Sequence, residues 1–264
     1  MRGPETTQTA GFTAADYTGV LVVTLDRPPA NALNRSAIRN LAALFADLSE
    51  MREAPPVVLT GQGERFFCAG GDIKELEQAP QQELDARMRE FHSLLVAMDR
   101  YPRPVISAIN GHCVGGGMEI ALFADTVLAV HGARFGFPEI NHGLLPADKG
   151  IQRAARLLGA RTARRLLLSG ELFDAETALE IGLVDVLADP AELVAAAVAS
   201  AREAGAKAPV LYGALKRSVN DSDDSRDEVS LHRTLGSAAE YFDDPVARGL
   251  RDSWNGSRTR GGQG

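Results

Sequence analysis

Two places in the sequence join a strand-like apolar run to a cluster of glycines. The first reads F-F-C-A-G-G-D-I-K-E over residues 66–75, with Ala69, Gly70 and Gly71 following the apolar run and Asp72, Ile73 and Lys74 opening a short charged segment. The second reads I-N-G-H-C-V-G-G-G-M-E-I over residues 109–120: a strand, a turn, a glycine run and the start of a helix. Glycine lets a ligand approach the main chain. A turn from strand into helix leaves N–H groups free at the positive end of the helix. Two such N–H groups converging on one point would hold a developing oxyanion. The same glycines also suit tight turns and close packing. Either break alone leaves both readings open; two breaks, each after a strand, point toward chemistry.

Two carboxylates complete the pattern. Glu119 follows Gly116 by three residues, in the first turn of its helix. Glu139 stands in F-G-F-P-E, where Pro138 fixes the backbone just before it. Two carboxylates beside an oxyanion site could move protons and position a water. On spacing alone a plainer reading also stands: Glu119 as an acid that complements the helix dipole, and Glu139 as a solvated loop acid.

Other chemistries are excluded by what is missing. There is no G-x-x-x-x-G-K-[ST] phosphate loop, no G-x-G-x-x-G after a strand, no G-x-S-x-G elbow and no H-E-x-x-H helix. His92, His112, His131, His142 and His232 are scattered, and Cys68 and Cys113 are the only cysteines, so neither a disulfide framework nor a cysteine-built metal site is expected. Cys113, with no cationic neighbour or base spaced to activate it, reads as a small packed residue, and the low cysteine number suits a reducing, cytoplasmic location. With 28 basic and 35 acidic side chains the net charge is −7, unlike a sequence-independent nucleic-acid binder. No apolar run approaches the ~18–20 residues that cross a bilayer.

The elements that must position these groups alternate between strand and helix. Residues 19–25 and 57–60 read as strands, and Ser36 is placed to cap a helix reaching residue 52. Residues 65–68, 105–109 and 126–130 read as further strands, 81–100 as a strongly amphipathic helix and 118–123 as a short one. From residue 156 the pattern is mostly helical, with a strand candidate at 183–187 and a helix opening at Asp189-Pro190. Strand–strand–helix units recur. The expected organisation is a flexible tail over 1–14, an α/β core over 15–205, a charged helical region over 206–255 and a disordered end over 256–264.

Five segments in order now carry a resemblance. V-T-L-D-R-P-P-A-N-A-L-N, F-C-A-G-G-D-I-K-E, I-N-G-H-C-V-G-G-G-M-E-I-A, F-G-F-P-E-I and L-L-L-S-G-E-L-F-D-A-E-T-A-L-E-I-G-L-V-D resemble the enoyl-CoA hydratase/isomerase (crotonase) superfamily over roughly residues 18–250. The resemblance implies an α/β spiral of repeated ββα units. It implies a helical C-terminal region used in a homotrimer or dimer of trimers. It also implies an acyl-CoA thioester substrate, with coenzyme A as part of the substrate and no separate cofactor or metal.

Carried over residue by residue, the resemblance places the oxyanion N–H groups on Gly71 and Gly116. It places the CoA portion against Ala30, Asn31, Ala32, Ala69, Gly70, Asp72, Ile73 and Lys74. Glu119 matches a glutamate that activates water, and Glu139 one that exchanges the proton at the α-carbon, which sets aside the plainer reading of both. The chain departs from the pattern after Glu139. Asn141 and His142 stand where apolar residues are usual, and Ala147, Asp148 and Lys149 replace small residues beside the acyl pocket. Asp148 and Lys149 are expected to narrow that pocket, to meet a polar acyl group, or to pair with each other. Trp254 stands where an adenine contact is usual. The implied activity is hydration of a 2-enoyl-CoA in fatty acid metabolism. The alternatives are an isomerase, another such acyl-CoA enzyme of secondary metabolism, or a non-catalytic CoA-binding subunit.

Overall fold

The computed structural model describes residues 6–78, 80–220 and 224–260. Its frame is two sheets built from a repeated turn of chain. Strand β4 (Val57–Gly61) is followed by β5 (Phe66–Cys68), β6 (Val105–Ile109) by β7 (His112–Val114), and β8 (Thr126–Val130) by β9 (Arg134–Gly136). The first member of each pair joins one parallel sheet, β4-β6-β8, and the second joins another, β5-β7-β9. Helices α2 (Ile73–Gln78) and α3 (Gln81–Arg100) follow the first pair, and α4 (Gly116–Ala121) follows the second. This is a spiral of ββα turns. The longer sheet is extended by β1 (Thr6–Thr9), β2 (Gly11–Asp16) and β3 (Leu21–Asp26) at one edge and by β11 (Val186–Ala188) at the other. The shorter one gains β10 (Phe173–Asp174).

The local reasons are plain. Both β4 and β6 are buried along their whole length, as expected for apolar runs in a parallel sheet covered on both faces. Helix α1 (Arg35–Glu50) buries Ile38, Leu41, Phe45 and Leu48 at helical spacing. Asn34 rather than Ser36 caps it, its side chain accepting the Ala37 N–H at 2.9 Å. Helix α3 packs along α1, and the Phe45 and Tyr101 rings meet edge to face at 5.4 Å.

Beyond the spiral lie α5 (Asp148–Leu158), α6 (Ala160–Ser169), α7 (Ala175–Glu180) and α8 (Leu193–Gly205). They are followed by α9 (Pro209–Asn220), α10 (Asp224–Asp243) and α11 (Pro245–Arg260). Helix α10 folds back onto α3 and α5, and α11 onto α10 and the 3-10 turn at Pro138–His142. No helix among the described residues is long and apolar enough to cross a membrane.

Both ends are more ordered than expected. Residues 6–9 form an edge strand in register with β2, from Thr6 opposite Ala15 to Thr9 opposite Phe12, because three threonines favour extended backbone and Gly11 at φ +104 reverses the chain. Residues 256–260 continue α11, whose start is held by Asp244 Oδ1 accepting the N–H groups of Val246 and Ala247. Residues 1–5 and 261–264 lie outside the described residues. Helix α5 begins at Asp148, well before residue 156, because its buried face is Gly150, Arg153, Ala154 and Leu158, too polar to read as a helical stripe. Helix α8 begins at Leu193, just beyond Asp189-Pro190.

One loop residue ties the walls together. Asn31 is 3% exposed and left-handed at φ 51. Its Nδ2 donates to Gln62 O at 3.0 Å and Phe66 O at 2.9 Å, and its Oδ1 accepts the Arg27 N–H at 3.2 Å. An alanine would take this donor from the Gln62 and Phe66 carbonyls and sit badly in that conformation. Asn31→Ala is therefore expected to lower stability by about 2–4 kcal/mol, with Asn31→Gly recovering about 1 kcal/mol of it, in urea unfolding. An unchanged midpoint with weakened CoA-thioester binding would instead put this side chain on the ligand.

Candidate active site

The two glycine breaks meet. Strand β5 delivers Ala69-Gly70-Gly71 and β7 delivers Gly115-Gly116, and the pairing of the two strands brings these turns side by side. A Cβ placed on Gly116 would lie 3.7 Å from Gly71 N, and one on Gly70 only 3.1 Å from Gly116 N. The bridge between Leu33 and Gly71 uses the N–H groups of Leu33 and Asp72 and leaves the Gly71 N–H outside it. Gly116 is the first residue of α4, where a helix provides no acceptor for the N–H. Both glycines line a cavity of about 280 Å³. Two unclaimed amides at one wall are the arrangement that stabilises negative charge on a carbonyl oxygen.

The carboxylates face the same cavity. Glu119, 3% exposed, accepts the Ala147 N–H on Oε2 at 3.0 Å. Ala147 caps α5, and a side chain at Gly150 would overlap the Glu119 carboxylate, so the start of α5 fits against it only as glycine. Helix α5 is itself anchored by buried charge: Lys149 Nζ bonds Asp99 at 2.8 Å and Asp227 at 2.6 Å, and Arg153 bonds Asp99. Glu139 sits in the 3-10 turn, with Oε2 shut off from solvent and without a hydrogen-bond partner among the described residues. Its Oε1 occupies space 2.9 Å from where Gly115 would carry a Cβ.

Burial dominates the titration of both. It pushes Glu139 up to about 7. It raises Glu119 well above the carboxylate range, with the Glu139 charge adding to the rise and the Ala147 N–H and Arg87 opposing it. Both carboxyls are thus shifted toward protonation, and the charge of Glu139 makes ionising Glu119 harder.

Of the residues singled out in the sequence, Ala69, Gly70, Gly71, Ile73, Gly116, Glu119, Glu139, His142 and Ala147 line this cavity. Others support it from outside. Ala30 O accepts the Ala69 N–H at 3.0 Å, Ala32 O accepts from Arg27, and Arg27 pairs with Asp72, which also accepts the Lys74 N–H. Lys74 is exposed on α2. Asn141 turns to the Gly170 carbonyl, 3.0 Å away. The expectation for Asp148 and Lys149 is corrected: they neither line the acyl cavity nor pair with each other. They belong to a second, charged cavity of about 340 Å³. There Lys149 is claimed by aspartates from α3 and α10, and Asp148 has Arg233 at 3.8 Å.

Arg87, Met88 and Phe91 on α3 and Tyr241 on α10 were not singled out in the sequence and also line the cavity; Trp254, noted there at the place of an adenine contact, lines it from α11. Trp254 stacks on His142 with ring centroids 4.3 Å apart, at the wall of this cavity. The legible signal was Arg87: it lies between Leu84 and Phe91 on the buried stripe of α3, a cation on an apolar face.

Residues 15–249 match the model of a family described as enoyl-CoA hydratase/isomerase. The chain belongs to the enoyl-CoA hydratase/isomerase family. It is 36% identical over 206 residues to the short-chain-enoyl-CoA hydratase of Clostridium acetobutylicum, covering 76% of this chain and 77% of that protein. The solved structure of Pseudomonas aeruginosa DspI superposes with a TM-score of 0.78 at 31% identity, covering 89% of this chain and 96% of the other. A carnitinyl-CoA dehydratase from Mycobacterium avium superposes with a TM-score of 0.79 at 32% identity, over 90% and 94%. Among the described residues of this family member, no three His, Cys, Asp or Glu side chains gather to hold a metal ion.

The raised Glu139 carboxyl has a sign that stability can report. Above its unfolded value, near 4.5, the native state binds more protons than the unfolded chain, so the stability of its neutral form is present below that pH and is lost as pH rises through about 7. Glu139→Gln removes this loss. The variant should gain on the wild type between pH 5 and 8, by up to about 3 kcal/mol at the alkaline end, in thermal unfolding. A difference that does not change with pH would contradict the burial of this charge.

Proposed function

We propose that the protein adds water across the double bond of a 2-enoyl-CoA thioester. The observation that carries this reading is the pairing of two carboxyls, the buried Glu119 and the half-buried Glu139, at one cavity with the amides of Gly71 and Gly116. The thioester oxygen would be held by the two N–H groups, which favour the enolate-like transition state over the ground state. Glu119 would take a proton from water as its oxygen bonds to the β-carbon. Glu139 would give a proton to the α-carbon as the double-bond electrons arrive there. One proton is taken and one given, so the carboxyl pair ends with the proton count it began with. The reverse sequence dehydrates a 3-hydroxyacyl-CoA.

Hydration needs a proton acceptor and a proton donor at once, and two carboxyls at one cavity supply one group for each role. Moving a double bond needs one group to carry one proton between the α- and γ-carbons, and leaves the second buried carboxyl without a task. The named relatives support hydration as well. A further part of the reading is assembly. The face of α9 that carries Leu211, Leu215 and Val219 is largely exposed, as suits a subunit of a trimer or dimer of trimers. The protein would act in the cytoplasm on dissolved acyl-CoA.

Mixing the wild type with crotonyl-CoA should bleach the conjugated thioester absorbance. Glu139→Gln and Glu119→Gln should each lower kcat by about 10²–10⁴-fold while the thioester still binds. Absorbance that instead grows when a 3-enoyl-CoA is supplied, with crotonyl-CoA left intact, would make the protein an isomerase.

A further inference from the structure

A buried guanidinium lies beneath the proposed oxyanion site. Arg87 reaches the cavity from α3 and is 6% exposed. Its Nη2 donates to the Leu33 carbonyl at 2.8 Å. That carbonyl is the one that accepts the Asp72 N–H in the bridge holding Gly71 in place. The guanidinium also presses on Gly71 itself: a Cβ there would come within 2.9 Å of Nη2. Its counter-charge is incomplete. Glu75 on α2 is 3.5 Å from Nε, beyond a good hydrogen bond, and Nε is buried with no hydrogen-bond partner among the described residues. One Glu75 oxygen is already taken up by the Arg35 N–H.

A buried cation whose ion-pair partner is one partly exposed carboxylate is costly as a purely structural device. Here it sits where negative charge is expected to appear. We propose that Arg87 is a positioning residue for hydration: it fixes the Leu33–Gly71 bridge that presents one oxyanion amide, and it sets a positive charge at the wall of the cavity that Glu119 also lines. The inference rests on the site reading given above. The titratable and charged groups facing Arg87 are Glu75 on α2, Asp72 before it and Tyr241 on α10. Glu119 on α4 and Glu139 and His142 of the 3-10 turn share the cavity. Among these, the influence of Arg87 on Glu119 opposes both burial and Glu139. Removing the charge therefore lets the carboxyl pair hold its proton to higher pH.

The test uses crotonyl-CoA with three substitutions. Arg87→Met should lower kcat by about 10²-fold with little change in KM, and move the optimum of kcat/KM to higher pH. Arg87→Gln, which can still donate to Leu33 O, should recover part of kcat but keep the displaced optimum. Arg87→Lys should return the optimum toward that of the wild type. A kcat unaffected by any of the three overturns the proposal. So does a loss of kcat with an unmoved pH optimum in both neutral variants, which is what a merely structural arginine would give. If Arg87→Met does not fold, the Gln and Lys variants decide between these outcomes. If the wild type does not turn over crotonyl-CoA, the hydratase reading fails separately. Arg87 is then judged by the pH dependence of thermal unfolding of the free protein, where Arg87→Gln should shift the carboxyl titration to higher pH and an unshifted curve overturns it.

Discussion

Two carboxyl groups buried at one cavity cannot both carry a charge at modest cost, and the rest of this structure is arranged around that constraint. Burial is the leading cause of the rise in both Glu119 and Glu139, and their mutual repulsion adds to it in Glu119. A pair so raised favours protonation of at least one of its members, and on the reading proposed above one would serve as acid and the other as base. The same dryness that raises the carboxyls strengthens the two glycine amides opposite them, because dipoles act more strongly where water is excluded.

The spiral explains why these groups meet. Each turn of chain contributes one strand to each sheet, so successive turns place β5, β7 and β9 next to one another and their C-terminal ends at one edge. Gly71, Gly116 and Glu139 all follow those ends. The last helices then return to close the cavity with Tyr241 and Trp254. Glu119 depends on a longer chain of support. Its hydrogen-bond partner is the residue capping α5, and α5 is held by Lys149 and Arg153 on the aspartates of α3 and α10. The charges after Glu139 thus act on the site through a helix, and not by lining the pocket.

What could be read from the sequence was what short-range pattern encodes. The apolar runs of β4 and β6, the helical stripes of α1 and α3, and the strand–glycine–helix breaks all announce themselves within a dozen residues. The family motifs located Gly71, Gly116, Glu119 and Glu139, and the structure gathers those four at one cavity. The illegible parts are pairings across long separations. Lys149 finds its partners fifty and seventy-eight residues away, and nothing near it says which way it points. Asn31 looked like a loop residue open to ligand, yet its amide is spent on carbonyls at residues 62 and 66. Residues 6–9 form a strand only because β2 is there to pair with. Arg87 is the intermediate case: its place on an apolar stripe was visible, and its reason, the Leu33 carbonyl, was not.

The claim on which all of this turns is that at least one of Glu119 and Glu139 stays protonated near neutral pH in the free protein. Infrared difference spectroscopy of the carboxyl stretch, titrated from about pH 5 to about pH 9 and compared with a Glu119→Gln, Glu139→Gln double variant, measures it directly. A protonated carboxyl band that persists at pH 7 in the wild type and is missing from the double variant is the expected result. Complete ionisation of both glutamates below pH 6 would contradict it, and would remove the physical basis for acid and base acting together in this cavity.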